Sequence, residues 1–440
     1  MYINNLKVML LKLKRDLLSF YFSVFFLRFY MRGQYASCMQ YIAKIELLES
    51  NISETVSYIL NSFLKHKYNP ADNGTKGDPF ILSIIRRFSE VNQRKFLSSN
   101  IIVLKPYLSP KEKGVILLNY TEIINSFPFL FDLNKIQERY HIVLEPSWES
   151  PYQMYYRLYQ SNSIVFVQSL SKREIAMDKK QGFVDVPVCA GDWINESKFF
   201  MDENAVQQYD FCAIANFISF KRHEFLFSAL SQHWKGDLKF ALIASSHVGN
   251  NREWIEKLMA KYNVQGKVDM FIDVLPEEVN KVLNQSKCHV LCSLREGANR
   301  ANFESMYIGT PVVVHKHHIG FPNFRFDGSM VFNFTNAENF VAAIKASAKA
   351  NRKEVAAKAQ RIIGSEKATY TLNEYIKKET LAKGGIWTLD IFRKVNVVHL
   401  FYADVNDAQR CSNDYKYLSE MALSKQYYDF DFAIKRYCNS

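Results

Sequence analysis

The stretch from His289 to Val314, HVLCSLREGANRANFESMYIGTPVVV, decides the fold. It opens with a short apolar run and turns sharply at Glu296-Gly297. A helix-length segment follows from about Ala301, then Gly309-Thr310-Pro311 as a turn, then a second apolar run. Apolar runs unbroken by polar residues are strands covered on both faces, so the stretch predicts strand, loop, helix and a parallel strand. In such a unit Glu296 stands at the carboxyl end of a strand and Glu304 one turn into the next helix. Both carboxylates then point into the crevice where open α/β sheets bind ligands. The helix N-terminus between them offers unpaired N–H groups and the positive end of a dipole, which suits a diphosphate. A carboxylate accepts hydrogen bonds from neighbouring hydroxyls, so one of the pair can hold a sugar and the other a ribose diol.

Outward from this unit the same alternation continues in both directions. Phe211–Ile214, Leu238–Ile243, Val268–Ile272, His289–Cys292 and Pro311–Val314 are expected strands, separated by helices at His223–His233, Trp254–Lys261, Glu277–Gln285 and Ala337–Ala350. An earlier series of apolar runs lies at Ile101–Leu104, Gly114–Leu118, His141–Leu144, Ser163–Val167 and Val184–Val188. Between the two series Pro187–Trp193 (PVCAGDW) and Asn204–Tyr209 are polar and turn-rich, as an interdomain hinge would be. Met1 to about Ser99 has helical periodicity, with Leu10, Leu13, Leu17 and Phe20 and later Ile42, Ile45 and Leu48 at three and four spacing. The segment Asn69–Gly74 is a loop by composition, and beyond Thr369 the text is helical and aromatic. The expected organisation is a helical region over 1–99, an acceptor-side Rossmann-like domain over 100–205, a nucleotide-binding Rossmann-like domain over 206–366 and a helical tail over 367–440.

Glu296 and Glu304, with the seven residues between them, resemble the Glu-x7-Glu motif of the family-four retaining nucleotide-sugar glycosyltransferases. Ala213-Ile214-Ala215 through Lys221 matches that family's strand, loop and phosphate-binding lysine, and Val268–Val274 its base-binding strand and loop. The resemblance covers about Tyr209–Glu366 and implies the GT-B fold, two Rossmann-like domains facing a crevice. It also implies retaining transfer of a sugar from a nucleoside diphosphate donor to a glycan or lipid-linked acceptor, with surface polysaccharide biosynthesis as the setting. Carried over residue by residue, Glu296 and Lys221 are the catalytic pair, and Glu304, Gly297, Ala298, Asn299, Arg300, Asn216 and Arg222 are donor-binding positions. The family's usual Arg five residues before the Lys is Asn216 here, which leaves the diphosphate charge to Lys221 with Arg222 or Arg300. Its Glu-Gly-Phe-Gly is Glu296-Gly297-Ala298-Asn299, so the sugar contacts differ. No cofactor or metal is expected. On the acceptor side, Glu145 and Trp148 follow a strand end and could meet the acceptor, although Pro146-Ser147 also reads as a helix entry.

The remaining composition narrows the alternatives. The 440 residues carry 56 Lys+Arg against 44 Asp+Glu, a formal charge of +12 that favours anionic partners. Nucleic acid ranks last among these, because no base-reading module accompanies the charge. Seven scattered cysteines without a C-x-x-C pair fit a reducing compartment, and the run Leu17–Leu27 falls short of the roughly 20 residues a membrane span needs. A cytoplasmic protein, peripheral at the inner face of a membrane, is the expectation. Basic and aromatic residues of the first helix, among them Lys7, Lys12, Lys14, Arg15, Arg28 and Arg32 with Phe20, Phe22, Phe25 and Phe26, suit an anionic surface; a buried cap is the competing reading. His315–His318 is expected to be structural or solvated, and Asp429-Phe430-Asp431 a coincidence of spacing. The alternative to an enzyme is a non-catalytic sugar-nucleotide-binding or scaffold protein with a degenerate site.

Overall fold

The computed structural model describes residues 2–46, 48, 51–64, 78–148, 158–159, 163–246, 249–396, 402–424 and 427–433. The loop expected at Asn69–Gly74 lies outside them. Two sheets form the body. The first has five strands in sequential order: β1 (Ile101–Lys105), β2 (Gly114–Asn119), β3 (Tyr140–Glu145), β4 (Val165–Val167) and β5 (Val184–Asp185). β2 to β5 are parallel, but β1 runs antiparallel to β2, because residues 106–113 are too few for a helical crossover. Every residue of β1, β2 and β3 is buried, as unbroken apolar runs require.

The second sheet comprises β6 (Phe211–Ile214), β7 (Phe240–Ala244), β8 (Val268–Ile272), β9 (His289–Leu291), β10 (Val312–His315) and β11 (Val331–Phe334), all parallel, in the order β11-β10-β9-β6-β7-β8. The chain therefore winds outward from β6 to β8, returns to the centre, and winds outward again from β9 to β11. The order reverses between β6 and β9, and a ligand site is expected outside their carboxyl ends. Polar caps set the flanking helices: Asn251, Asn299, Asn336 and Asn351 each accept a backbone N–H at the first turn of the helix that follows. β11 was not foreseen, since Asn333 interrupts a run of only four residues.

The C-terminal region is not a detached tail. After leaving the second domain at Ile363, the chain enters the helix Ser365–Ala382, whose Ala368, Leu372 and Ile376 are buried in the first domain's core with Tyr402, Tyr415 and Leu418. Tyr402 Oη donates to Val103 O (2.6 Å) and Tyr140 Oη to Asp414 Oδ1 (2.6 Å), which ties residues near 400–420 to β1 and β3. Glu196 joins the outgoing and returning crossings, accepting from Ser365 N (2.7 Å) and from Arg393 Nη2 (2.6 Å).

The described residues before β1 form helices at Tyr2–Tyr30, Tyr35–Glu46, Asn51–Leu64, Pro79–Phe88 and Val91–Ser99, and they add Phe26, Met39, Ile42 and Phe88 to the same core. This corrects the expected lipid-facing aromatic set. Phe26 is fully buried, and Phe22, Phe25 and Phe29 lie within 6.1 Å of the Tyr41 ring, so only Phe20 of the four named phenylalanines is exposed. Among the described residues no helix is long and apolar enough to cross a membrane.

Candidate active site

The second domain's wall of the crevice is built where the sheet order reverses. Beyond β6 the chain makes a short 3-10 turn, Ser219–Lys221, and enters the helix His223–His233; beyond β9 it runs through Ser293 to Glu296. The two arms meet at one carboxylate. Lys221 Nζ lies 2.6 Å from Glu296 Oε2, Asn299 Nδ2 donates to the same oxygen at 2.8 Å, and Ser293 Oγ donates to Oε1 at 2.5 Å. Glu296 is 5% exposed and so is held as a fixed acceptor at the floor of the crevice. Asn299 serves twice, because its Oδ1 also caps the helix Arg300–Tyr307 by accepting from Ala301 N (3.1 Å).

Backbone geometry explains the glycines here. A Cβ on Gly297 would stand 1.7 Å from Ser147 O of the first domain, and Gly297 pairs with Trp148 in an isolated antiparallel bridge. A Cβ on Gly320, which has φ +102°, would stand 1.8 Å from Glu296 O. Only glycine lets the two domains, and the two loops, approach this closely.

The other donor-binding candidates divide. Gly297, Ala298, Asn299 and Arg300 line the crevice with Glu296. Glu304 is half-buried on the same helix; burial pushes its carboxyl up and Arg300 opposes that shift. Arg222 instead clasps its own domain, donating to Cys292 O (3.1 Å) over the Phe225 ring. Asn216 is likewise occupied, its Oδ1 accepting from Ser245 N (2.9 Å).

The first domain faces this wall across a cavity of about 490 Å³, lined among others by Phe96, Tyr120, Trp148, Glu296, Arg300 and Asn396. Trp148 reaches the donor domain, with its ring edge-on to Phe220 at 6.1 Å. Glu145, at the end of β3, is sealed beneath: Trp193 Nε1 donates to its Oε2 at 2.6 Å and Lys394 Nζ lies 3.2 Å from its Oε1. Burial pushes the Glu145 carboxyl up and the Lys394 ammonium down to about 8. Lys394 also reaches Asn396 Oδ1 (3.2 Å), and Asn396 Nδ2 donates to Ala190 O (2.7 Å) in the hinge.

Several residues of this site were not identified from sequence. Ser293 stood inside the quoted stretch but has no distinctive spacing. His318 proves to be in the site, buried with Nε2 3.4 Å from Ser293 Oγ and its pKa pushed down to about 4 by burial, while His317 stays exposed. Phe96, Tyr120 and the pair Lys394 and Asn396 arrive from three separate chain segments, and no local pattern marks them.

The family model described as glycosyl transferases group 1 matches residues 195–362, which span the whole second sheet. Residues 195–362 thus form a group 1 glycosyltransferase domain, and with the first sheet facing it across one crevice the chain has the two-domain GT-B architecture. Among solved structures it is similar to sucrose-phosphate synthase from Thermosynechococcus elongatus (17% identity, 61% of this chain and 74% of that one, TM-score 0.48). It is also similar to a glycosyltransferase from Rickettsia africae (13% identity, 73% and 88%, TM-score 0.45) and to HepE of Anabaena in complex with UDP (12% identity, 62% and 79%, TM-score 0.45). Compared by sequence with curated proteins, it matches none.

Proposed function

We propose that the protein transfers a sugar, with retention at the anomeric carbon, from a nucleoside diphosphate donor to a hydroxyl of a glycan or lipid-linked acceptor held on the first domain. Surface polysaccharide biosynthesis at the inner face of a membrane is the setting this reading favours. The observation that carries it is the Lys221–Glu296 pair, 2.6 Å apart, at the sheet's switch point beside the N-terminus of the helix Arg300–Tyr307. Charge grows on the departing diphosphate as the anomeric C–O bond breaks. Lys221 and the helix dipole stabilise that charge in a crevice closed by the Trp148–Gly297 bridge. The new C–O bond forms on the same face, and a phosphate oxygen of the leaving group takes the acceptor's proton. With Ser293 and Asn299 occupying its oxygens, Glu296 orients sugar hydroxyls and is not a nucleophile. Glu304, half-buried on the helix Arg300–Tyr307, holds the ribose diol. Turnover needs no metal in this scheme.

A mass-spectrometric screen of nucleotide sugars, with and without EDTA, tests the reading. The expected result is binding and slow hydrolysis of one donor, unchanged by chelation. Binding without turnover supports the non-catalytic alternative, and activity restored by magnesium or manganese after chelation overturns the metal-free scheme.

A further inference from the structure

The helix Tyr2–Tyr30 has two apolar faces, and the fold covers only one. Phe26 and Ser19 are buried, and Phe22, Phe25 and Phe29 pack toward Tyr41 of the helix Tyr35–Glu46. On the other face Leu10, Leu13, Leu17, Phe20, Val24 and Leu27 alternate strictly at three and four spacing and are 48 to 65% exposed. From Leu10 to Leu27 this stripe runs roughly 26 Å along the helix. A continuous apolar strip of that length on an otherwise packed helix calls for an occupant.

Charge selects the occupant. Lys14, Tyr21 and Arg28 recur every seven residues along one flank of the stripe, all exposed, and Arg32 is exposed just beyond the helix. Asp16 is the only acid in the helix. Two copies packed stripe to stripe in the antiparallel sense would set Lys14 against Arg28, and packed in parallel they would meet the basic flank with one that carries a single acid, Asp16. An anionic bilayer surface meets both features: Lys and Arg extend to headgroups while Leu, Phe and Val enter the acyl boundary, with Phe20 and Tyr21 at the interface. We propose that this stripe, and not the Phe22, Phe25 and Phe26 side of the helix, docks the protein on membranes rich in anionic phospholipid. The same helical layer ends in the helix Val91–Ser99, whose Phe96 and Ser99 line the acceptor side of the cavity. Docking through this layer therefore sets the acceptor wall beside a lipid surface, a consequence that rests on the transferase reading above; the docking itself does not.

The test is flotation of the full chain with vesicles of phosphatidylcholine alone or with phosphatidylglycerol, at 0.1 M and 1 M salt. Binding is expected only to the phosphatidylglycerol vesicles and to weaken at high salt. Leu17→Glu with Val24→Glu, and separately Lys14→Glu with Arg28→Glu, should each lower the partition coefficient by about ten-fold or more. All four side chains are exposed, so thermal melting should be unchanged. Equal binding to neutral vesicles, or variants that bind like the parent, overturns the proposal. So does a lipid-free dimer by light scattering that Leu17→Glu dissolves, which would make the occupant a second copy. Donor hydrolysis in lipid-free solution reports the transferase reading separately, and these variants leave it unchanged.

Discussion

Glu296 and Glu145 face the same cavity, each buried near the end of a strand, yet their surroundings are built in opposite ways. Around Glu296 the partners are Ser293 and Asn299, within three residues on either side, and Lys221, which the fold brings in from beyond the neighbouring central strand. Around Glu145 they are Trp193 and Lys394, drawn from the hinge and from the returning C-terminal segment. The first arrangement leaves a polar surface open to the crevice. The second closes completely, with Glu145 1% and Lys394 0% exposed in their side chains. The difference teaches that one glutamate is arranged with a face toward the crevice while the other fastens the segment between the two sheets to the returning chain.

The sharpest way to break this contrast is to unpair the sealed glutamate. Lys394→Met leaves a buried carboxylate without its cation and should cost about 3–5 kcal/mol of unfolding free energy. The double variant Lys394→Met with Glu145→Leu should recover much of that loss, and urea melts of the two singles and the double measure the coupling. A single variant as stable as the parent would show that the pair does not fasten the fold. On the donor wall the expected effect is the reverse. Lys221→Ala, which leaves Ser293 and Asn299 donating to Glu296, should cost less stability than Lys394→Met and lower turnover about 10²- to 10³-fold, as loss of one positioned donor to a developing anion does. Should its turnover survive intact, Lys221 would be only a partner for Glu296.

The same contrast explains what could be read in advance. The second domain was legible because its strands are short unbroken apolar runs, its helices have polar caps, and its site lies within one contiguous stretch plus Lys221. The boundary at 367–440 was not, because aromatic helical text such as Tyr402 and Tyr415 reads alike whether it covers a neighbouring sheet or stands apart; only the fold shows Tyr415 Oη beside Val103 N. The antiparallel β1 escaped notice because an apolar run carries no direction. The phenylalanines of the first helix surround it on several sides, so sequence alone could not tell the packed side from the exposed one. Pro187–Trp193 reads in sequence as a turn-rich stretch between the domains, but its fastening to Asn396 depends on contacts across the chain.

Both domains also carry buried histidines, which permits a comparison by pH. Burial pushes His141 in the first domain down to about 4, and in the second His289 to about 3 and His318 to about 4. His289 Nε2 accepts from Ile214 N–H (3.3 Å) between the two central strands, a bond that a protonated ring cannot keep. In the unfolded chain these rings titrate near 6.5, so between about pH 4 and 6.5 the unfolded state binds more protons and stability falls with acidification. For each ring the loss between pH 7 and pH 5 is about 2 kcal/mol. Replacing His141 or His289 by Gln should make the fall in stability over that window shallower by a similar amount. A slope unchanged in both variants would mean that neither ring is held neutral.

The smallest expected effect separates the two acids of the donor wall. A free nucleoside diphosphate carries a ribose and phosphates but no transferred sugar, so it probes Glu304 without engaging the part of the site assigned to Glu296. Glu304→Gln keeps the side chain's size and loses a charge-assisted acceptor for the ribose hydroxyls; at roughly 1 to 1.5 kcal/mol this weakens UDP binding about ten-fold. Glu296→Gln should change UDP affinity by no more than about two-fold, because Asn299 and Ser293 still hold the side chain, while transfer falls through loss of sugar orientation. Titration calorimetry with UDP decides between the roles, and the nucleoside diphosphates of the other bases serve if UDP does not bind. Equal weakening by both substitutions, or by neither, would remove the division of labour between sugar and ribose. A larger loss in Glu296→Gln than in Glu304→Gln would exchange the two assignments.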